Sequence, residues 1–123
     1  DFYTLPVSLR RAKETVKLKR EVREMYVAVM RYHFREESLE RACRIWKEAV
    51  LERATGRKGF IRAFIMTANG GKALAVGMWE DKRYADEFMK TGVFRELLSD
   101  FTDMMVANPE HEAYEMKFSS EKY

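Results

Sequence analysis

The sequence predicts an α+β fold in which a four-stranded sheet carries its helices on one face, and three observations predict it. The first is a hairpin. Alternating runs at Phe60-Ile61-Arg62-Ala63-Phe64-Ile65-Met66 and Ala73-Leu74-Ala75-Val76-Gly77-Met78-Trp79 flank Asn69-Gly70-Gly71, residues that tolerate the positive φ of a tight turn. The second is a helical period, with Leu39, Ala42, Cys43, Trp46, Ala49 and Val50 recurring at three and four. The third is the order of the elements: strand, helix, strand, strand, helix, strand.

Met25 to Phe34 reads as the first strand. Met25, Val27 and Val29 fall on one face and Tyr26, Ala28, Met30, Tyr32 and Phe34 on the other, so both faces need a cover. The first helix spans Glu37 to Thr55, starting near Ser38 and stopping at Gly56. The hairpin strands run from Gly59 to Ala68 and from Lys72 to Glu80. Glu80-Asp81 then places carboxylates at the N-terminus of a helix from about Lys82 to Met89, where the helix dipole favours them. A second helical stretch, Val93 to Val106, turns Phe94, Leu97, Leu98, Phe101, Met104 and Met105 inward, and Asn108-Pro109 ends it. His111 to Phe118 is a half-exposed strand in which Tyr114, Met116 and Phe118 alternate against His111, Glu115 and Lys117. Right-handed crossovers give the spatial order 4-1-3-2, the ferredoxin-like βαββαβ layout.

A chain of 123 residues, 46% hydrophobic and 13% aromatic, builds one core rather than two. It divides into a basic N-terminal extension, residues 1–24, read as partly helical or as an arm, and a domain over 25–123. Seven Lys/Arg against four Asp/Glu in residues 1–24 account for the whole net charge of +3. A nucleic-acid or acidic partner would have to be met there, and charges so interleaved are the ordinary pattern of a solvated helix face. No membrane-length apolar run or signal-peptide pattern is present, so a soluble cytoplasmic protein is expected. One cysteine, Cys43, and two histidines, His33 and His111, give no metal-ligand spacing, and no metal is expected. Asn69-Gly70-Gly71-Lys72 is a turn rather than a phosphate loop, because a strand and not a helix follows it.

Whichever face of the hairpin meets the helices, its other face leaves a large apolar surface, more than a lone subunit usually exposes. A second copy is the economical cover. Two such sheets packed face to face close a dimeric α+β barrel around a two-fold axis.

With Gly59-Phe60 opening the second strand, Met78-Trp79-Glu80-Asp81 closing the third, Ala85 in the next helix and Thr91-x-x-Phe94 after it, the chain resembles the antibiotic biosynthesis monooxygenase family over about Met25 to Phe118. The resemblance implies a homodimer that binds a small aromatic or quinone-like compound between sheet and helices and oxidises it without a cofactor. Relatives in that superfamily degrade haem, but their Asn, Trp and His positions fall on Arg31, Phe88 and Leu98 here, which disfavours that activity. Histidines of many members fall on Phe88 and Val93. These departures support an alternative, a non-catalytic ligand-binding or regulatory barrel.

Within that frame Arg31 and His33 are the expected catalytic pair. Arg31 interrupts an apolar strand, where a guanidinium facing the cavity would stabilise a phenolate or enolate; a cross-strand ion pair with Glu115 is its other reading. His33, two residues on and on the same face, suits proton abstraction, with a surface strand end as the alternative. Tyr32, Arg62, Trp79, Tyr84, Phe88 and Phe94 are the expected ligand contacts, an aromatic clamp with polar margins, or else ordinary core. His111 follows a turn and is not chosen. Cys43 behaves as a small hydrophobe on the helix stripe.

Overall fold

The structure, a computed structural model, describes residues 25–121; the basic segment 1–24 lies outside them. The elements are β1 (Tyr26–His33), a long helix α1, β2 (Phe60–Ala68), β3 (Lys72–Trp79), α2 (Lys82–Met89), α3 (Val93–Phe101) and β4 (Glu110–Glu115). Helix α1 is α-helical over Leu39–Trp46 and Glu52–Ala54 and π-wound between them over Lys47–Leu51. The sheet has the order β2-β3-β1-β4, antiparallel throughout. This is the expected α+β, ferredoxin-like arrangement.

Register settles which residues share a face. Tyr26 pairs with Trp79 and Met30 with Ala75 across β1 and β3, and Met30 pairs with His111 across β1 and β4. These residues look toward the helices with Tyr32, Phe34, Ala73 and Ala75. On β2 the pairing slips between Phe60 and Arg62. The extra residue of this β-bulge changes the strand's parity, so Phe60 joins Ala63 and Ile65 in the helix-side core, while Ile61 and Phe64 pack on the opposite face. The unbroken alternation read from the sequence groups Phe60 with Phe64, and the bulge is the reason it fails.

The main core lies between sheet and helices. Tyr32 and Phe34 stack at 5.3 Å, and Phe101 of α3 meets Phe34 edge-on at 4.9 Å. A smaller cluster on the other face joins Met25, Val29, Val76 and Met78, with Val27, Ile61, Phe64, Leu74 and Met116 against it.

Two boundaries differ from expectation. Helix α3 stops at Phe101 rather than Val106 because the following backbone is bound to the end of β1: Arg35 donates to the Met104 carbonyl at 2.7 Å and Val106 to that of His33 at 2.9 Å. Strand β4 runs over Glu110–Glu115 and turns Tyr114 and Met116 toward the second cluster, pairing Tyr114 with Val27. Phe118 lies beyond it, 92% exposed.

At the hairpin, Gly70 and Gly71 both have positive φ. A Cβ on Gly70 meets nothing within 4 Å, whereas one on Gly71 collides with the Phe34 carbonyl. Gly70→Ala should therefore cost only the backbone term, about 1–2 kcal/mol, and Gly71→Ala at least twice as much, read from urea midpoints at unchanged m.

Burial raises the Tyr32 phenol above its ordinary value. As pH climbs past about 10 the unfolded phenol ionises first, so the unfolded state binds fewer protons and stability falls. The wild type should lose up to about 1.4 kcal/mol per pH unit more than Tyr32→Phe in that range, with no such difference at neutral pH.

Candidate functional site

Between the sheet and the helices lies a cavity of about 260 Å³. It exists because small residues face one another there: Ala28, Ala63, Ala75 and Gly77 on the strands, Ala54 and Ala85 on the helices. Aromatic rings wall it, chiefly Trp46, Phe60, Trp79, Phe88 and Phe94. Trp79 packs against Phe60 at 5.2 Å and Phe88 at 5.4 Å, and Phe88 meets Phe94 edge-on at 6.3 Å.

The winding of α1 contributes to this wall. Trp46, Val50 and Ala54 line the cavity at a strict spacing of four, a row that drifts around an α-helix of 3.6 residues per turn. The wider π turn at Lys47–Leu51 offsets the drift. Helix α2 enters from Trp79 through Asp81, whose carboxylate accepts from the Arg83 amide at 2.9 Å. Tyr84 of α2 lies over Gly59, where φ is +80° and any Cβ would strike its ring. This contact explains the Gly59-Phe60 strand opening.

Polar groups are few. Lys82 and Asp86, paired at 2.9 Å on α2, Tyr26 on β1 and His111 on β4 are the polar side chains of the lining. The cavity thus spans the sheet from Phe60 on β2 to His111 on the far edge strand.

Three of the expected ligand contacts, Trp79, Phe88 and Phe94, line this space. The others do not. Tyr32 is buried in the aromatic core beside Phe34 and Phe101. Arg62 lies over the Phe64 ring on the opposite face, at 4.9 Å, placed there by the bulge. Tyr84 packs on Gly59 outside the cavity, flanked by Lys58 and Arg83.

The expected catalytic pair is also displaced. Arg31 and His33 alternate with Met30 and Tyr32 and project from the other face of the sheet. Arg31 forms an ion pair with Glu112 at 2.9 Å, not with Glu115. Tyr114 and then Arg31 hold the Glu112 carboxyl below the usual range by hydrogen bonding. His33 contacts the Gly70 carbonyl at 2.9 Å and so braces the hairpin turn. Cys43 is half-buried, its thiol pushed up by burial and then by Glu40. Among the described residues no group of three His, Cys, Asp or Glu side chains is placed to hold a metal ion, and no helix is long and apolar enough to cross a membrane.

The sequence reading passes over His111 because it follows a turn, at the start of a strand read only as half-exposed. The signal that would have found it is the second apolar cluster, which claims Met116 and so sends His111 and Ala113 to the cavity side.

No family model and no curated protein matches the chain by sequence. Solved structures do match. A conserved protein from Methanosarcina mazei Go1 superposes with a TM-score of 0.69 at 14% identity, covering 82% of this chain and 99% of its own. SnoaB, a cofactor-independent oxygenase from Streptomyces nogalater, gives 0.66 at 10% identity, covering 79% and 97%. Another structure, an antibiotic biosynthesis monooxygenase, gives 0.61 at 12% identity, covering 72% and 95%. At such identities the likeness is one of fold, and the fold of this chain is that of the antibiotic biosynthesis monooxygenases.

Proposed function

We propose that the protein binds a small planar aromatic or quinone-like compound in the cavity between sheet and helices, and oxidises it with molecular oxygen and no cofactor. One oxygen atom enters the ring system and the other leaves as water with two substrate hydrogens. The observation that carries the binding reading is the cavity itself. Its lining is chiefly apolar and partly open to solvent, and a planar apolar ring that covers such a surface gains about 25 cal/mol for each Å² taken from water. Benzene occupies an engineered cavity of about 150 Å³, so this one suits about two fused rings; it lies just below the range of about 300–1,000 Å³ usual for small-molecule sites. The fold shared with SnoaB supports the oxygenase chemistry.

A second reading, a non-catalytic binding module, is favoured by the departure of Arg31 and His33 from the cavity and by its short list of polar groups. Both readings take the working form to be a homodimer in which a second copy covers the face carrying Val29, Val76 and Met78. Light scattering should give twice the 14.6 kDa of the chain, and Val76→Asp should reduce the mass toward one copy.

Both tryptophans of the chain, Trp46 and Trp79, line the cavity, so a bound quinone should quench nearly all the intrinsic emission. Menadione is expected to do so saturably at micromolar concentration, and unsaturable quenching like that of free tryptophan overturns the site. Ala85→Leu, which projects extra carbon into the cavity, should weaken menadione at least tenfold while costing about 1–3 kcal/mol in stability. With reduced menadione, oxygen uptake above the spontaneous rate supports the oxygenase, and tight binding without uptake selects the second reading. Arg31→Ala and His33→Ala should change neither binding nor uptake.

A further inference from the structure

The two histidines have different local roles. The His33 ring is engaged with the hairpin carbonyl of Gly70. His111 stands opposite Met30 in the register of β4 and lines the cavity. Its imidazole forms no hydrogen bond or ion pair with another described residue. Of the other polar groups there, Lys82 and Asp86 neutralise one another at 2.9 Å and Tyr26 offers a hydroxyl from β1. Among the described residues, the imidazole of His111 is therefore the uncommitted proton acceptor of the cavity. It also lies on an exposed stretch of the edge strand, where a proton taken from the ligand has a route to water.

We propose that His111 is a catalytic residue that takes the proton from an acidic hydroxyl of the bound aromatic, which narrows the ligand class to phenols and hydroquinones. The inference rests on the cavity being the ligand site. In this step the ligand O–H bond breaks, an N–H bond forms on the imidazole, and the bonding pair stays on the ligand oxygen. No electron leaves the ligand until oxygen accepts it. An anionic phenolate among alanines and aromatic rings is costly unless a cation forms beside it. The imidazolium produced by the transfer is that cation, and it holds the ligand in the electron-rich form that reacts with oxygen.

The test uses 4-nitrophenol, whose phenolate is yellow, and its methyl ether 4-nitroanisole, which has the same ring and no proton to give. At a pH below the free phenol's own pKa, binding to the full chain should bring up the phenolate band. His111→Gln should abolish that band and weaken 4-nitrophenol at least tenfold, while 4-nitroanisole binds within about twofold of the unmodified protein, as a residue acting only on the hydroxyl predicts. Arg31→Ala, on the far face, should leave the band in place. A phenolate band that persists in His111→Gln overturns the role of His111 and leaves the cavity as the ligand site. Failure of both probes to bind the unmodified protein overturns the cavity reading and this inference with it.

Discussion

The arrangement depends on a mismatch of side-chain size between two packed layers. Where β1 and β3 pass under α1 and α2, the facing residues are Ala28, Ala75, Gly77, Ala54 and Ala85. Close packing elsewhere in the core, with Phe34 and Phe101 essentially inaccessible, keeps the layers from collapsing onto these small residues. A close-packed interior has low compressibility and does not readily close a gap of this size. The same aromatic residues that hold the layers apart, Trp46, Trp79 and Phe88, also line the gap. The scaffold and the site are therefore one construction, and most of the site is apolar.

The sheet's two faces have divided their work. The helix side holds the cavity and the main core. The other side holds a second apolar cluster ringed by the charged and aromatic groups Arg31, Glu112, Tyr114 and Arg62. The bulge at Ile61 and the register of β4 make this division, because each decides which side chains of an edge strand look inward. Had β4 paired one residue out of register, His111 and Tyr114 would have exchanged faces. The chemistry available to the cavity is thus set by strand pairing as much as by composition.

Much of this was legible in the sequence. The hairpin, the limits of α2, the stop at Gly56 and the order of the strands follow from turn glycines, helical period and right-handed crossovers, all local or topological rules. Trp79, Phe88 and Phe94 follow from their place at the junction of strand and helix. The displacement of Arg31 and His33 from the cavity was not legible. Arg31 and His33 sit on a strand with apolar residues on both sides, and alternation assigns them to a common face without saying which face meets the helices. The bulge displaced Arg62 for a similar reason: one extra residue inverts parity and leaves no mark in composition. Tyr32 reads equally as clamp or core until Phe101 is seen against it. The π turn of α1 adjusts packing over a span that a 3.6-residue period does not resolve.

The claim that the small-residue gap is a ligand site is tested most directly by nuclear Overhauser contacts between menadione and protein carrying labelled alanine methyl groups. The account predicts contacts from the menadione ring and methyl protons to Ala54, Ala63 and Ala85, residues on three different elements that meet at this cavity. Contacts to alanines away from it, such as Ala68 and Ala107, with none to those three, would contradict it.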